Sequence, residues 1–340
     1  MNKIVCFGEI MLRLNPAGNL RFVQADHFEA SYAGGEANVA VSLANFGIPA
    51  SFVTKVPKHE IGQSAVNTVR RYGVDTSFML RGGDRLGAYF VEKGASQRAS
   101  KVIYDRAGSA ISLAKPEEFD WAKIFEGVTW YHFTGITPAL GDNAIQACRD
   151  SLVAAKERGI TVSCDINYRN KLWTREYAQE IMSTLMPYVD VSICNEEDAH
   201  DVFGISAGGT DIQKGELSRE GYISVAKQLS ERFNIPKVAI TLRESISATD
   251  NNWSGMLYEN GKACFGPKYL MHIVDRVGGG DSFAGGLIYA MMQGYENQDA
   301  IDFATAASCL KHSIEFDFNM VSVDEVKALA AGNASGRVQR

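Results

Sequence analysis

The chain has 340 residues, 46% of them hydrophobic, and a formal net charge of −6. This length supports a large core in one domain or two, and the mild acidity argues against a general nucleic-acid or membrane-surface binder. No apolar run reaches the roughly 18 residues of a membrane span, and the N-terminus lacks a signal-peptide cleavage site. The scattered cysteines and histidines favour reduced thiols without a structural zinc. We therefore expect a cytoplasmic protein that binds neither nucleic acid nor membrane.

Strand and helix patterns alternate along most of the chain. Helix patterns, several of them ending at a glycine, cover 37–46, 60–72, 143–158, 175–186, 219–233, 281–292 and 298–313. Apolar runs typical of buried strands cover 3–14, 51–56, 128–136, 160–166, 189–194 and 237–242. Alternation with short loops predicts a parallel sheet covered by helices.

Four segments depart from a regular pattern. The first strand, 3–14, is interrupted at Gly8–Glu9. A hairpin is predicted over 253–265, because Asn260–Gly261 is a strong two-residue turn signal. The segment 204–217 is expected to be a polar loop, and the tail beyond Ala331 is expected to fray.

Two β-rich stretches, 86–92 and 101–106, follow each other without an intervening helix. Strands joined in this way form an antiparallel hairpin, which we interpret as part of a small lid inserted in the α/β domain. The twofold period of a strand places Tyr104 and Arg106 on one face together with Val102. The alternative is an edge hairpin with a solvated arginine.

The stretch V-D-R-V-G-G-G-D-S-F-A-G-G, residues 274–286, contains three consecutive glycines, Gly278, Gly279 and Gly280, followed by Asp281 and an apolar run. It predicts a tight turn whose amide groups open a helix and suit a phosphate group. A carboxylate beside such amides can take a proton from an attacking hydroxyl. The alternative is a glycine-rich turn in which Asp281 only caps the helix.

Polar residues also follow two of the predicted strands, at the end where open α/β sheets bind ligands. Asp165-Ile166-Asn167-Tyr168-Arg169 follows one strand, and Asn195-Glu196-Glu197-Asp198 follows another. The second group of acids either caps the next helix or organises a magnesium ion through water.

The D-x-x-G-x-G-D-x-F pattern at Asp275–Phe283 resembles the C-terminal signature of the ribokinase-like (PfkB-type) carbohydrate kinases. Ala33-Gly34-Gly35-Glu36-Ala37-Asn38-Val39-Ala40 resembles their N-terminal signature. The resemblance implies a three-layer α/β/α domain with a mainly parallel central sheet and a small β-sheet lid. It further implies that residues 1–11, 34–85 and 107–335 form the core domain, and that 12–33 and 86–106 form the lid.

Within the family, four stretches are most similar to 2-keto-3-deoxygluconate kinases: 89–94, 104–110, 165–169 and 316–319. This resemblance implies Asp281 as the catalytic base and Gly278, Gly279 and Gly280 as the anion hole. It assigns substrate binding to Gly34, Gly35, Asn38, Tyr89, Tyr104, Arg106, Arg169 and Asp317. It assigns nucleotide binding to Asn195, Thr241, Arg243 and Ser245, and a water-mediated contact with the metal to Asp198.

The implied reaction uses ATP and Mg²⁺ to phosphorylate a sugar acid, and it leaves open whether a monovalent cation assists. Lids of this family often pair edge to edge, which favours a homodimer. Three positions depart from the family pattern. Asp198 replaces a glutamate, Gly279 replaces a frequent alanine and should add flexibility, and Glu315–Phe316 stands where a proline–glycine pair is expected.

Three other functions remain open from the sequence. A kinase for fructose, ribose, a nucleoside or another keto-acid would share the motifs, although two arginines at the pocket favour an anionic substrate. A dinucleotide-dependent oxidoreductase is disfavoured, because no G-x-G-x-x-G follows the first strand. A non-catalytic regulator that binds a sugar acid is disfavoured by the intact Asp281, although a fold alone does not establish activity.

Overall fold

A computed structural model of the chain describes residues 2–206 and 218–333. Its strands are β1 (Ile4–Phe7), β2 (Met11–Asn15), β3 (Glu29–Ala33), β4 (Ala50–Val56), β5 (Met79–Arg81), β6 (Ala88–Glu92), β7 (Lys101–Asp105), β8 (Trp130–Thr134), β9 (Thr161–Asp165), β10 (Val191–Cys194), β11 (Lys237–Ser245), β12 (Asp250–Glu259), β13 (Lys262–Phe265) and β14 (Tyr269–His272). Its α-helices are α1 (Gly35–Asn45), α2 (Glu60–Arg71), α3 (Trp121–Ile124), α4 (Asp142–Glu157), α5 (Arg175–Leu185), α6 (Glu196–Phe203), α7 (Arg219–Phe233), α8 (Gly279–Met292), α9 (Asn297–Lys311) and α10 (Val323–Ala330).

A ten-stranded sheet forms the centre of the molecule, with the order β13-β12-β11-β10-β9-β8-β1-β4-β5 and β14 paired to β12. The strands from β11 to β5 in this order are all parallel, and β12 joins β11 antiparallel. The mainly parallel sheet predicted from the alternating pattern is therefore confirmed.

The central sheet is covered on both faces, as the first strand shows directly. Val5 and Phe7 of β1 belong to one hydrophobic core, which also contains residues of α4, α5 and α7. Ile4 and Cys6 of the same strand belong to the other core, with residues of α1, α8 and α9. Successive side chains of a strand point to opposite faces, so an entirely apolar strand is buried between two helical layers.

A separate four-stranded sheet has the order β3-β2-β6-β7, and we call it the small sheet. β6 and β7 pair antiparallel, which confirms the hairpin predicted for 86–106. The prediction of one interrupted strand over 3–14 is wrong, because β1 lies in the central sheet and β2 in the small sheet. Gly8 and Glu9 are the point at which the chain passes between them.

Elsewhere the predictions and the structure differ mainly in extent. The hairpin turn is confirmed, and Asn260 and Gly261 have the positive φ angles, 49° and 78°, that such a turn requires. Helix α10 was not predicted, although Ser322 caps it by accepting a hydrogen bond from the Glu325 N–H. Most of the loop predicted at 204–217 lies outside the described residues.

Within the described chain, no helix is long and apolar enough to span a membrane.

Candidate active site

A cavity of about 380 Å³ lies between the small sheet and the carboxyl ends of the central strands. Its size is within the range of about 300–1,000 Å³ that is usual for small-molecule sites. The lining includes every predicted site residue except Ser245, namely Gly34, Gly35, Asn38, Tyr89, Tyr104, Arg106, Arg169, Asn195, Asp198, Thr241, Arg243, Gly278, Gly279, Gly280, Asp281 and Asp317. The fold therefore brings together residues that are distant along the chain.

The glycine turn forms one wall of this cavity. Gly278 is the N-cap of α8 and has a φ of 83°. A Cβ atom at this position would lie 2.0 Å from the Asp317 carbonyl oxygen, so only glycine fits. Within residues 2–206 and 218–333, no acceptor pairs with the N–H groups of Gly278, Gly280 or Asp281. These donors at the positive end of a helix can bind an anion.

Gly279 serves a purpose other than the flexibility expected from the sequence. A Cβ atom there would lie 2.4 Å from the His312 ring, which packs directly against the turn. A Cβ atom on Gly280, in contrast, would meet nothing within 4 Å. Close packing, rather than freedom of the backbone, therefore explains the glycine at position 279.

Asp281 lies in the first turn of α8 but does not cap it, since the N-cap is Gly278. The Asn38 side-chain amide instead donates a hydrogen bond to the Asp281 carboxylate, with a distance of 2.6 Å between Nδ2 and Oδ2. Burial raises the pKa of Asp281 to about 6, and the neighbouring Asp317 carboxylate adds to this effect. A carboxylate with this pKa can accept a proton near neutral pH.

Two further carboxylates, Asp165 and Asp198, line the cavity near Arg169. Burial raises the pKa of Asp198 to about 6, and Arg169 opposes this shift. The pKa of Asp165 is also raised, by burial and by the charges of Asp198 and Asp281. These mutually repelling carboxylates favour a nearby cation.

Asp198 also stabilises the local backbone. Its carboxylate accepts hydrogen bonds from the N–H groups of Tyr168, at 3.0 Å, and Asn195, at 3.3 Å. Both alternatives weighed from the sequence are therefore compatible with its position. No group of three His, Cys, Asp or Glu side chains among the described residues could ligate a metal directly, so a magnesium ion here would be held largely by phosphate oxygens and water.

Arg106 is already paired with a carboxylate that was not predicted to belong to the site. Its Nε and Nη2 atoms both donate to Oε2 of Glu9, with an Nε–Oε2 distance of 2.8 Å. The Ser109 hydroxyl donates to the other Glu9 oxygen at 2.6 Å. The Arg106 guanidinium also lies 5.5 Å from the ring centre of Tyr104. Arg106 is thus held in one orientation, with Nη1 outside the ion pair.

Asp317 is likewise engaged by protein groups. It accepts hydrogen bonds from Arg13 at 2.5 Å and from the Tyr89 hydroxyl at 2.6 Å. Arg13, which is fully buried, also pairs with Asp275 at 2.5 Å. The preceding Phe316 has a φ of 64°, a left-handed conformation that is rare for a bulky residue and that suits the glycine expected here.

Comparison with known proteins identifies the family. The family model for the pfkB family carbohydrate kinases matches residues 1–313. The chain belongs to this family. The solved structure of 2-dehydro-3-deoxygluconokinase from Thermotoga maritima is 53% identical, with a TM-score of 0.94 and coverage of 97% of this chain and 98% of that chain.

Two curated relatives also match nearly the whole kinase. A 2-dehydro-3-deoxygalactonokinase from Haloferax volcanii is 30% identical, with 98% of both chains covered. A 2-dehydro-3-deoxygluconokinase from Thermoproteus tenax is 29% identical, covering 93% of this chain and 90% of that relative. The protein is therefore a carbohydrate kinase, and the fold class expected from the resemblance is confirmed.

Three of the four predicted nucleotide residues of the kinase line the cavity, and Ser245 does not. Thr241 and Arg243 line the cavity from β11. This strand continues to Ser245, beyond its predicted end at Leu242, and carries Ser245 past the cavity wall. Trp253, on the neighbouring strand β12, lines the cavity as well and lies 5.2 Å from the Arg243 guanidinium.

Several charged residues of the kinase site were missed by sequence reasoning. Glu9 and Arg13 flank the crossing from the central to the small sheet, and Asp275 precedes the glycine turn. Asp165 begins the polar segment 165–169, in which only Arg169 was predicted to bind the substrate. The signal for Glu9 was its position just after a buried strand. Arg13 gave a weaker signal, as an arginine within an otherwise apolar strand.

Proposed function

We propose that this kinase transfers the terminal phosphoryl group of ATP to the 6-hydroxyl of 2-keto-3-deoxygluconate. The observation that carries the proposal is the composition of one cavity. A partly buried carboxylate, Asp281, lies there beside unpaired amide donors, and two arginines, Arg106 and Arg169, line the same cavity. This combination suits a substrate with a hydroxyl to be deprotonated and a carboxylate to be bound.

The arginines account for the choice of an acidic sugar. A guanidinium binds a carboxylate through two parallel hydrogen bonds, which gives both strength and selectivity. Glu9 engages Nε and Nη2 of Arg106, so Nη1 would face the substrate. Nη1 of Arg169 donates to the Tyr168 carbonyl oxygen at 2.9 Å, which orients the guanidinium group.

Asp281 and the glycine turn would carry out the chemical step. Asp281 takes the hydroxyl proton, the hydroxyl oxygen forms a bond to the terminal phosphorus, and the bond from that phosphorus to the ADP oxygen breaks. The N–H groups of Gly278, Gly280 and Asp281 stabilise the negative charge of the transferred group. Asn38 keeps the Asp281 carboxylate in position through its hydrogen bond.

A magnesium ion, when bound, would neutralise phosphate charge. Asp165 and Asp198 would hold its water ligands, because both line the cavity and burial raises the pKa of each carboxyl group, an effect that a bound cation would oppose. Thr241, Arg243 and Asn195 would bind the nucleotide. The segments 12–33 and 86–106 would close as a lid and exclude water, which competes as phosphoryl acceptor.

The experiment is a coupled assay of ADP release with a panel of substrates. The panel contains 2-keto-3-deoxygluconate, its galacto epimer, fructose, ribose and a neutral analogue in which the carboxylate is replaced by a hydroxymethyl group. We expect a higher kcat/KM for the two keto-acids than for every neutral sugar. Equal use of fructose or ribose would replace the proposal with a neutral-sugar kinase, and the ratio between the two epimers decides the configuration.

A further inference from the structure

Lys311 is a fully buried lysine in the last turn of α9. Its ammonium group donates hydrogen bonds to two backbone carbonyl oxygens, those of Asp275, at 3.1 Å, and Val277. Both carbonyls belong to the segment that leads directly into the glycine turn. A buried ammonium is unfavourable unless it is paired, so this position calls for a specific explanation.

The surroundings supply the charge that an ammonium needs. Arg13 and Lys311 contribute two positive charges, and Asp275 and Asp317 contribute two negative charges, so these four side chains form a neutral set. Burial lowers the pKa of Lys311, while Asp275 and Asp317 oppose that shift. Without the lysine, the same space would be lined by two carbonyl oxygens and would lie beside a set of side chains with one uncompensated negative charge.

The hydrogen bond to Val277 also determines the direction of the anion-binding amide. In a trans peptide the carbonyl and the following N–H point in opposite directions, and the described residues contain no cis peptide. With the Val277 carbonyl directed at Lys311, the Gly278 N–H points away from Lys311. The Ser308 hydroxyl of the same helix donates to the Gly279 carbonyl oxygen at 2.7 Å and supports the turn from the same side.

We propose that the Lys311 ammonium is a covalently attached monovalent cation that orients the anion-binding turn, so that the kinase needs no free monovalent cation. Two backbone carbonyl oxygens and a nearby excess of negative charge would also suit a potassium ion. Lys311 is therefore a positioning residue that acts through the peptide of Gly278. The inference rests on the proposed role of the turn in phosphoryl transfer.

The test compares Lys311→Ala, which leaves room for an ion, with Lys311→Met, which fills the space without charge. The kcat and melting temperature of each variant and of the wild type are measured in potassium, ammonium or tetramethylammonium chloride. Tetramethylammonium is too large for the site and keeps the ionic strength equal. The melting temperature reports ion binding without reference to activity.

We expect wild-type kcat to be the same in all three salts. Lys311→Ala should lose on the order of 100-fold in kcat in tetramethylammonium, comparable to the loss of one oxyanion-hole donor. Potassium or ammonium should restore much of this loss and raise the melting temperature of Lys311→Ala. Lys311→Met should remain impaired in every salt, without any gain in melting temperature.

Activation of the wild type by potassium would overturn the inference whether or not the variants fold. It would also be overturned by a Lys311→Ala variant that is fully active in tetramethylammonium, or by a folded one whose melting temperature potassium does not change. Failure of the substrate proposal gives a different result, because the wild type would then turn over no sugar acid while the potassium-dependent melting shift of Lys311→Ala would persist.

Discussion

Two groups of charged side chains lie near the glycine turn, and they differ in how their charges are balanced. The first group is the neutral set of Arg13, Lys311, Asp275 and Asp317, which are buried from solvent. In the cavity, Asp165, Asp198 and Asp281 are accompanied by Arg169, and burial, together with the charge of a neighbouring acid in each case, raises their pKa values. We call these three the cavity carboxylates.

The difference in charge balance indicates different roles for the two groups of side chains. The neutral set balances its own charges, so its main effect is to hold backbone in place, although Asp317 also lines the cavity. The cavity carboxylates do not satisfy theirs, and carboxylates in this condition are available to take up a proton or to attract a cation. Loss of a side chain from the neutral set should therefore reduce stability, and in the case of Lys311 also turnover, because Lys311 contacts the segment ahead of the glycine turn. Loss of a cavity carboxylate should reduce turnover.

The largest expected effect is on turnover in Asp281→Asn. Asparagine has nearly the same shape but cannot accept a proton at neutral pH, and general-base catalysis contributes about 100- to 10,000-fold. We expect kcat to fall by this factor while the melting temperature stays close to that of wild type. The matched control is Asp299→Asn, since Asp299 is an exposed acid in the first turn of α9. More than about a tenth of wild-type kcat in Asp281→Asn would remove Asp281 from the role of base.

The pH dependence of wild-type kcat tests the same carboxylate. The pKa of Asp281 is raised to about 6, so the ionised, proton-accepting form predominates above this pH and disappears below it. We expect kcat to fall about tenfold per pH unit well below pH 6. The residual activity of Asp281→Asn should lack this dependence, and the same acid limb in that variant would assign the titration to another group.

Arg13→Met should give the largest loss of stability. It leaves Asp275 and Asp317 without their direct partner in a buried place, and breaking a buried ion pair costs about 3–5 kcal/mol. We expect the free energy of unfolding in urea to fall by this amount. The control is Arg85→Met, because Arg85 pairs with Asp105 at an exposed position, where a salt bridge contributes at most about 1 kcal/mol. Similar losses in the two variants would contradict the contrast between buried and exposed pairs.

The two arginines at the cavity should respond differently to truncation. Arg169→Ala should raise KM for the sugar acid by the equivalent of about 2–5 kcal/mol, with little change in KM for ATP. Arg106→Ala should raise the same KM and also lower stability, because Glu9 is then left buried without its cation. Steady-state kinetics and urea unfolding separate the two effects. A KM unaffected by Arg169→Ala would assign carboxylate binding to Arg106 alone.

The smallest effect is a contrast between neighbouring glycines. Gly279→Ala places a methyl group 2.4 Å from the His312 ring, and overpacking of this kind costs about 1–3 kcal/mol. Gly280→Ala meets nothing within 4 Å and should leave stability unchanged or slightly higher. Thermal unfolding of both variants measures the contrast. Equal melting temperatures would mean that the turn yields to the added methyl group.

Much of the architecture could be predicted because its signals are local. The apolar strand runs, the glycines that end helices and the Asn260–Gly261 turn each act within a few residues, and the structure confirms them. The absence of a helix pattern between 86–92 and 101–106 likewise predicted the antiparallel pairing of β6 and β7 correctly. The prediction of a single strand over 3–14 was wrong, because it used only the local apolar pattern. Pairing of the two halves with different sheets depends on residues that are distant along the chain.

The sequence by itself determined the alternating fold, the glycine turn and the candidate residues around the cavity, because each depends on backbone preferences or on a contiguous motif. Only the tertiary structure decided which charges meet. Arg13 pairs with Asp275 and Asp317 across 262 and 304 positions, and Arg106 pairs with Glu9 across 97. Lys311 reaches the carbonyls ahead of the glycine turn in the same way. Electrostatic energy depends on the distance between two charges and on their burial. Neither quantity can be obtained from the order of the residues along the chain.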